Sequence, residues 1–273
     1  MNKFFKSYYL KGTLLSPVHI GGKEEIDPFE YDIKDNILYI LDIPTYIAGL
    51  GKKERDDFTT AIEAGNPVKI RKFIRERIDY KKYNVYAVRV SGDIAREYER
   101  KKDDRGNQLL IAPFIRNGIK QLPYIPGSSI KGAIRTALIN LFVSQKGISK
   151  NDFGKRFKLT SRNLERKTLN HYGPDNDPLK AIKITDALLS EGSTIVSEVF
   201  NFNPRKIGIN QGFNSMDMRK EVTLSQLTGK SIVFDCSMEV LSGMQEAEII
   251  DQKKRREIMH LHKENLSSKA QLW

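Results

Sequence analysis

The residues best placed for chemistry run Leu122-Pro-Tyr-Ile-Pro-Gly-Ser-Ser-Ile-Lys-Gly-Ala-Ile-Arg135. Pro126 stiffens the approach and Gly127 admits backbone angles that other residues resist. Ser128 or Ser129 can cap a helix that starts here. The first turn of a helix leaves backbone N–H groups unpaired, and the helix dipole adds partial positive charge at the same end. The segment therefore predicts an anion site at a helix entry that needs no side chain. Lys131 and Arg135 are four residues apart, share a helix face and can add charge-assisted contacts to a phosphate. Gly132 would let another backbone come close. An ordinary capped helix with surface cations fits the same spacing. A Walker phosphate loop does not, because Lys131-Gly132 stands where Gly-Lys-Ser/Thr is required.

Proton transfer has one tempting candidate, His19, in Ser16-Pro-Val-His-Ile-Gly-Gly22. A histidine beside a basic groove can act as general acid or base. No second proton-transfer group stands near it in sequence, so packing of the loop or a phosphate contact is the favoured role. His171, His260 and His262 are scattered in polar segments. Glu24, Glu25, Asp27 and Glu30 follow the Gly21-Gly22 loop, but solvated loop charges explain them more simply than a metal nuclease does. Asp186 and Asp235 sit in or beside strands and read as structural. With a single cysteine, Cys236, no internal disulfide and no cysteine-cluster zinc site can form. Neither a metal nor another cofactor is predicted.

Charge points to the partner. The 273 residues carry 46 Lys+Arg against 34 Asp+Glu, a formal net charge of +12, which favours a polyanion. The excess is clustered. Seven basic and two acidic residues lie from Lys69 to Lys82, and eight basic and two acidic from Lys146 to Lys167. Arg116 to Arg135 holds four basic residues and none acidic, so Arg116 joins the RNA-binding candidates. No run of about 18 apolar residues suggests a membrane span, and the N-terminus lacks a secretory pattern. A reducing, cytoplasmic setting is the expectation.

The elements that must position these residues read as follows. Tyr8–Leu15 is a first strand, Asn36–Leu41 a second, and Asp42 caps a helix with Pro44 in its first turn. Helices are predicted over about 44–64 and 67–79, divided by Gly65-Asn66-Pro67. Val85–Val90 and Leu109–Ile115 are predicted partners in a hairpin. Its tip, Asp93–Gln108, holds ten charges that cancel. Ile130, Ile134, Ala137, Leu138, Leu141 and Phe142 recur at helical spacing. Lys150–Pro178 is a polar insertion. Strands are predicted at 182–186, 194–200, 205–208, 221–224 and 232–241, with a charged, helical stretch over 244–266. The order implies an α+β, ferredoxin-like (RRM-like) plan. The expected organisation is a core over 1–145 with insertions at about 44–80 and 85–115, a basic insertion over 146–181, and a β-rich second half over 182–273. Tyr8, Tyr9, Tyr39, Phe114 and Tyr124 lie on or beside predicted strands. One or two of them could stack bases, though most belong to the core.

Ile125-Pro-Gly-Ser-Ser-Ile-Lys-Gly-Ala-Ile-Arg135 resembles the signature of the RAMP superfamily, the RNA-binding proteins of CRISPR effector complexes. Leu15–Gly22 resembles that family's first strand and following loop. Glu24-Glu-Ile-Asp-Pro-Phe-Glu-Tyr31 narrows the likeness to the type III-A (Csm) subunit that caps the crRNA near its 3′ end. The resemblance implies a RAMP core with helical and hairpin (thumb) insertions. It implies a place at the end of a filament of RAMP backbone subunits, with crRNA and target RNA as partners. Trimming of the crRNA end by host nucleases is a further implication. Carried onto this chain, the RNA-binding positions are His19, Gly21, Gly22, Gly127, Ser128, Ser129, Lys131, Gly132 and Arg135. Some RAMP relatives cleave RNA without metal, which makes a crRNA-processing endoribonuclease the alternative to a non-catalytic subunit. The chain departs from the family in one respect. No glycine-rich basic loop follows Val240–Gln245, so the second half is expected to be shortened or to stop before a final strand.

Overall fold

The computed structural model describes residues 5–22, 24–106, 109–149, 160–169, 177–202 and 213–241. In chain order the elements are β1 (Phe5–Leu14), β2 (Tyr31–Lys34), β3 (Ile37–Leu41), α1 (Ile43–Ala48), α2 (Lys52–Glu63), α3 (Pro67–Arg77) and α4 (Tyr80–Tyr83). Then come β4 (Asn84–Val90), α5 (Gly92–Lys101), β5 (Ile111–Ala112), β6 (Tyr124–Ile125), α6 (Gly127–Gln145) and α7 (Ser161–Leu169). The chain continues with β7 (Ile182–Ile184), β8 (Ala187–Leu188), β9 (Thr194–Phe202), β10 (Phe213–Thr223) and β11 (Ile232–Leu241). The mixture of helix and sheet is the α+β plan read from the sequence. The predicted strand at 205–208 and the predicted helix at 244–266 lie outside the described residues.

Contacts divide the chain into two units, each discontinuous in sequence: Met1–Lys11 with Pro126–Ala187 and Asp235–Trp273, and Gly12–Ile125 with Leu188–Phe234. The first unit holds α6, α7 and most of a three-stranded sheet in the order β1-β11-β7. Within that sheet β11 pairs antiparallel with β7, Met238 opposite Ile184.

The second unit holds a six-stranded sheet in the order β2-β3-β4-β9-β10-β5. Its longest ladder is β9–β10, antiparallel from Thr194/Thr223 to Phe202/Phe213 with a register shift between Ser215 and Met218. One core is built by Tyr31, Ile33, Leu38, Val88, Val90, Ile94, Tyr98, Ile111 and Val196, which join the sheet to α5. A second core, with Leu41, Tyr46, Phe58, Phe73, Ile74 and Ile78, holds α1 to α3 together. Helices occupy Lys52–Glu63 and Pro67–Arg77, within the helical stretches read from the sequence. The Asp42 side chain accepts from Thr45 N–H at 3.0 Å and starts α1. Asn66 caps α3, with Pro67 in the first turn.

The predicted 85–115 hairpin is not formed. β4 pairs with β3 on one side and runs parallel to β9 on the other, while β5 runs parallel to β10. The charged tip is α5 instead. Ser91 caps it through the N–H of Ile94, and Ile94 and Tyr98, four apart, are buried on its inner face. Ten balanced charges hid two core residues at helical spacing. The predicted role of Ser128 or Ser129 as a cap is also corrected. α6 begins at Gly127 after Pro126 and has no side-chain cap, and both serines lie inside its first turn. No helix among the described residues is long and apolar enough to cross a membrane.

Candidate RNA-contact sites

The entry of α6 belongs to the first unit. Its leading N–H, that of Gly127, donates to Asp186 Oδ1 at 2.8 Å. A carboxylate thus already stands where the sequence predicts an external anion. Gly127 is glycine for a packing reason, since a Cβ there would come within 2.0 Å of the Ile184 carbonyl oxygen. Lys131 Nζ donates to the Ile182 carbonyl at 2.9 Å. Arg135 is shared between Glu165 and Asp177. Partial burial opposes its charge, but the hydrogen bonds it donates to those two carboxylates outweigh burial and raise its hold on the proton. Ser128, Ser129 and Gly132 are exposed, and a Cβ on Gly132 would meet nothing within 4 Å. The predicted grip therefore splits in two. Gly127, Lys131 and Arg135 hold the helix in place, and the two serines and Gly132 present an open surface of small residues.

His19, Gly21, Gly22 and Arg116 belong to the second unit, and one residue organises them. Glu221, on β10, is 1% exposed. Its carboxylate accepts from Arg116 Nη2, from Thr194 Oγ1 at 2.6 Å and from Phe114 N–H at 2.9 Å. Its carbonyl lies 2.7 Å from His19 Nδ1. A carbonyl can only accept, so Nδ1 carries the hydrogen. The histidine ring also meets Phe114 edge-on, with centroids 6.4 Å apart. Val18 N–H donates to Thr223 Oγ1 at 3.0 Å, and Thr223 N–H returns to the Val18 carbonyl at 2.8 Å. Beyond the histidine, Gly21 bridges Phe114 and Ile26 bridges Ile111, both antiparallel. Gly22 lies so close to this strand that a Cβ would sit 2.7 Å from Ile115 Cα. The Gly-Gly loop is thus held flat on residues 111–115, with both glycines exposed on the outside.

Arg116 is fixed from several sides. Nη1 donates to the Gln121 carbonyl at 2.6 Å, Nη2 takes Glu221, and the guanidinium carbon lies 3.9 Å from the Tyr86 ring centroid. Burial first, and the Glu221 charge second, push the Tyr86 phenol up to about 12. Glu221, Thr194, Tyr86 and Asp186 carry no local sequence signal for these roles. Of the early acidic residues, two brace their own loop: Asp27 Oδ1 accepts from Phe29 N–H, and Glu30 accepts from Asp27 N–H. Among the described residues no group of three or more His, Cys, Asp or Glu could hold a metal ion.

The model of the RAMP superfamily matches residues 11–233. The chain belongs to the RAMP superfamily. Similar RAMP proteins carry the name CRISPR system Cms protein Csm5. That of Methanocaldococcus jannaschii is 28% identical over 227 residues, covering 77% of this chain and 50% of that protein. That of Enterococcus italicus is 36% identical over 154 residues, covering 49% and 43%. The RAMP chain thus spans about half the length of the curated relatives it matches. Its fold is like that of T. onnurineus Csm5, with a TM-score of 0.54 at 22% identity, covering 84% of this chain and 67% of that one. It is also like a chain of the Csm-crRNA-target RNA ternary complex of a type III-A CRISPR-Cas system, with a TM-score of 0.59 at 19% identity, covering 88% and 65%.

Proposed function

We propose that this RAMP protein is a non-catalytic, RNA-binding subunit of a type III-A effector complex. It binds and caps the 3′ part of the crRNA, supports crRNA maturation and target RNA binding, and stands beside a RAMP backbone subunit. The observation that carries this reading is the family match over residues 11–233 in a chain whose relatives are named Csm5. The net charge of +12 supports a polyanionic partner. Direct RNA contacts are assigned to the exposed groups, Gly21, Gly22, Ser128, Ser129 and Gly132. His19, Arg116, Gly127, Lys131 and Arg135 hold the surfaces that carry them. Host nucleases enter only as trimmers of a protruding 3′ end. A non-catalytic role fits His19, whose Nδ1 is occupied by a backbone carbonyl rather than by a second acid or base.

The test has two arms. The full chain, assembled with neighbouring subunits, should hold crRNA with an affinity that falls steeply as salt rises. The isolated chain should leave repeat RNA intact after prolonged incubation. Cleavage that disappears in His19→Ala would replace this reading with the endoribonuclease one.

A further inference from the structure

Beside the Glu221 centre lies a cleft of about 280 Å³ that none of these contacts uses. Its lining includes Gly22, Tyr86, Phe114, Arg116, Gln121 and Tyr124, all within the second unit. At the small end of ligand cavities, it suits one ring system rather than two stacked nucleotides.

The walls choose between a phosphate and a ring. Arg116 supplies the positive charge, and Glu221 cancels it at the same guanidinium, with side chains 9% and 2% exposed. A neutral buried pair offers a phosphate little net attraction. Apart from Gln121 the remaining walls are aromatic or apolar, which favours a flat, uncharged ligand.

The rim is built as firmly as the floor. Asn117 Oδ1 accepts from the N–H groups of Lys120 and Leu122, and Gln121 Nε2 donates to the Gly118 carbonyl. Gln121 adopts a left-handed backbone, φ 52°, which a non-glycine residue keeps only when its surroundings impose it. The result is a stiff loop that holds Ile119 out to solvent, 94% exposed, beside two residues of the cleft wall. An apolar side chain at that place can cover the open edge of an inserted base.

We propose that this cleft takes a single unpaired nucleobase of the bound RNA, against the Tyr124 ring and beside the stacked Arg116 and Tyr86 side chains. The proposal rests on the RNA-binding reading above and names a subsite of it. Its test uses the full chain assembled with its neighbouring subunits and a series of guide RNAs, each with one abasic nucleotide. One abasic position should weaken binding roughly 5- to 150-fold, the range of a lost base–aromatic stack. Tyr124→Leu should bring intact RNA down to the affinity of that abasic RNA and remove the position's effect. Gly118→Leu should do the same by filling the mouth, and it is safe for folding because nothing lies within 4 Å of a Cβ there. Tight binding of intact RNA with no sensitive position overturns the cleft proposal and leaves the RNA reading standing. The same holds if both variants leave the sensitive position as it was. Failure of every RNA to bind overturns both.

Discussion

Arg116 and Arg135 bound a stretch of 20 residues with no acid in it, yet both side chains end on carboxylates. Arg116 is paired in the interior. Its partner Glu221 also serves Thr194, the Phe114 N–H and, through its carbonyl, His19. Arg135 is paired near the surface, its side chain 21% exposed and divided between Glu165 and Asp177. A buried pair is costly to break, because the survivor is left charged and dry. A partly exposed pair is cheaper to break, since water and salt replace it. The difference separates a centre that shapes its surroundings from a brace that solvent reaches.

The comparison breaks first at Glu221. Glu221→Ala should lower stability by about 3–5 kcal/mol in denaturant unfolding, because Arg116 stays buried and unpaired. Glu221→Gln should lose less, as an acceptor oxygen remains. A loss under about 1 kcal/mol in the alanine variant would put Arg116 on a par with Arg135. The next largest effect belongs to Gly127→Ala. A methyl group 2.0 Å from the Ile184 oxygen should cost about 1–3 kcal/mol by thermal unfolding. Gly132→Ala, in open space on the same helix, should instead gain about 0.5–1 kcal/mol. Equal losses at the two glycines would contradict the division of α6 into a packed and a presented part.

Arg135→Ala should cost only about 1 kcal/mol. Ser129→Glu should leave folding nearly unchanged, since an acid in the first turn suits the helix dipole. It should nonetheless weaken crRNA binding in the assembled complex, more at low salt than at high. Unchanged binding would remove the α6 entry from the RNA surface.

The smallest effect is one of pH, at the pair that joins α5 to β10. Glu97 accepts from Arg219 Nη2 at 2.9 Å and from Lys101 Nζ at 2.7 Å. Burial disfavours its charge, but the hydrogen bonds from Arg219 and Lys101 prevail and hold its carboxyl below the ordinary value. A depressed folded pKa stabilises at pH above the unfolded value, about 4.3, and that stability is lost as pH falls through the folded one. Melting temperature should thus decline below about pH 4, and less steeply in Glu97→Gln. Parallel curves would show that this pair adds nothing.

Much of the fold was legible from local spacing. The apolar repeat from Ile130 to Phe142 marks α6, and Gly65-Asn66-Pro67 marks the break between α2 and α3. α5 was not legible as a helix, because Ile94 and Tyr98 are two apolar residues among ten charges. At the candidate sites the motif residues were legible and their partners were not. Asp186 lies 59 residues from Gly127, Glu165 and Asp177 lie 30 and 42 from Arg135, and Glu221 lies 105 from Arg116. Pairings at such distances are set by the tertiary fold, and residue spacing does not encode them. The cations Arg116, Lys131 and Arg135 thus all have partners within the fold that the motif does not announce.

The most direct measurement is of the RNA recovered with the complex. The chain is purified with its neighbouring subunits and the bound RNA is sequenced, with and without this subunit. The account predicts uniform short RNAs with a shared 5′ tag, whose 3′ ends lose their definite length when the subunit is left out. Identical RNAs in both preparations, with the same 3′ ends and the same yield, would contradict it.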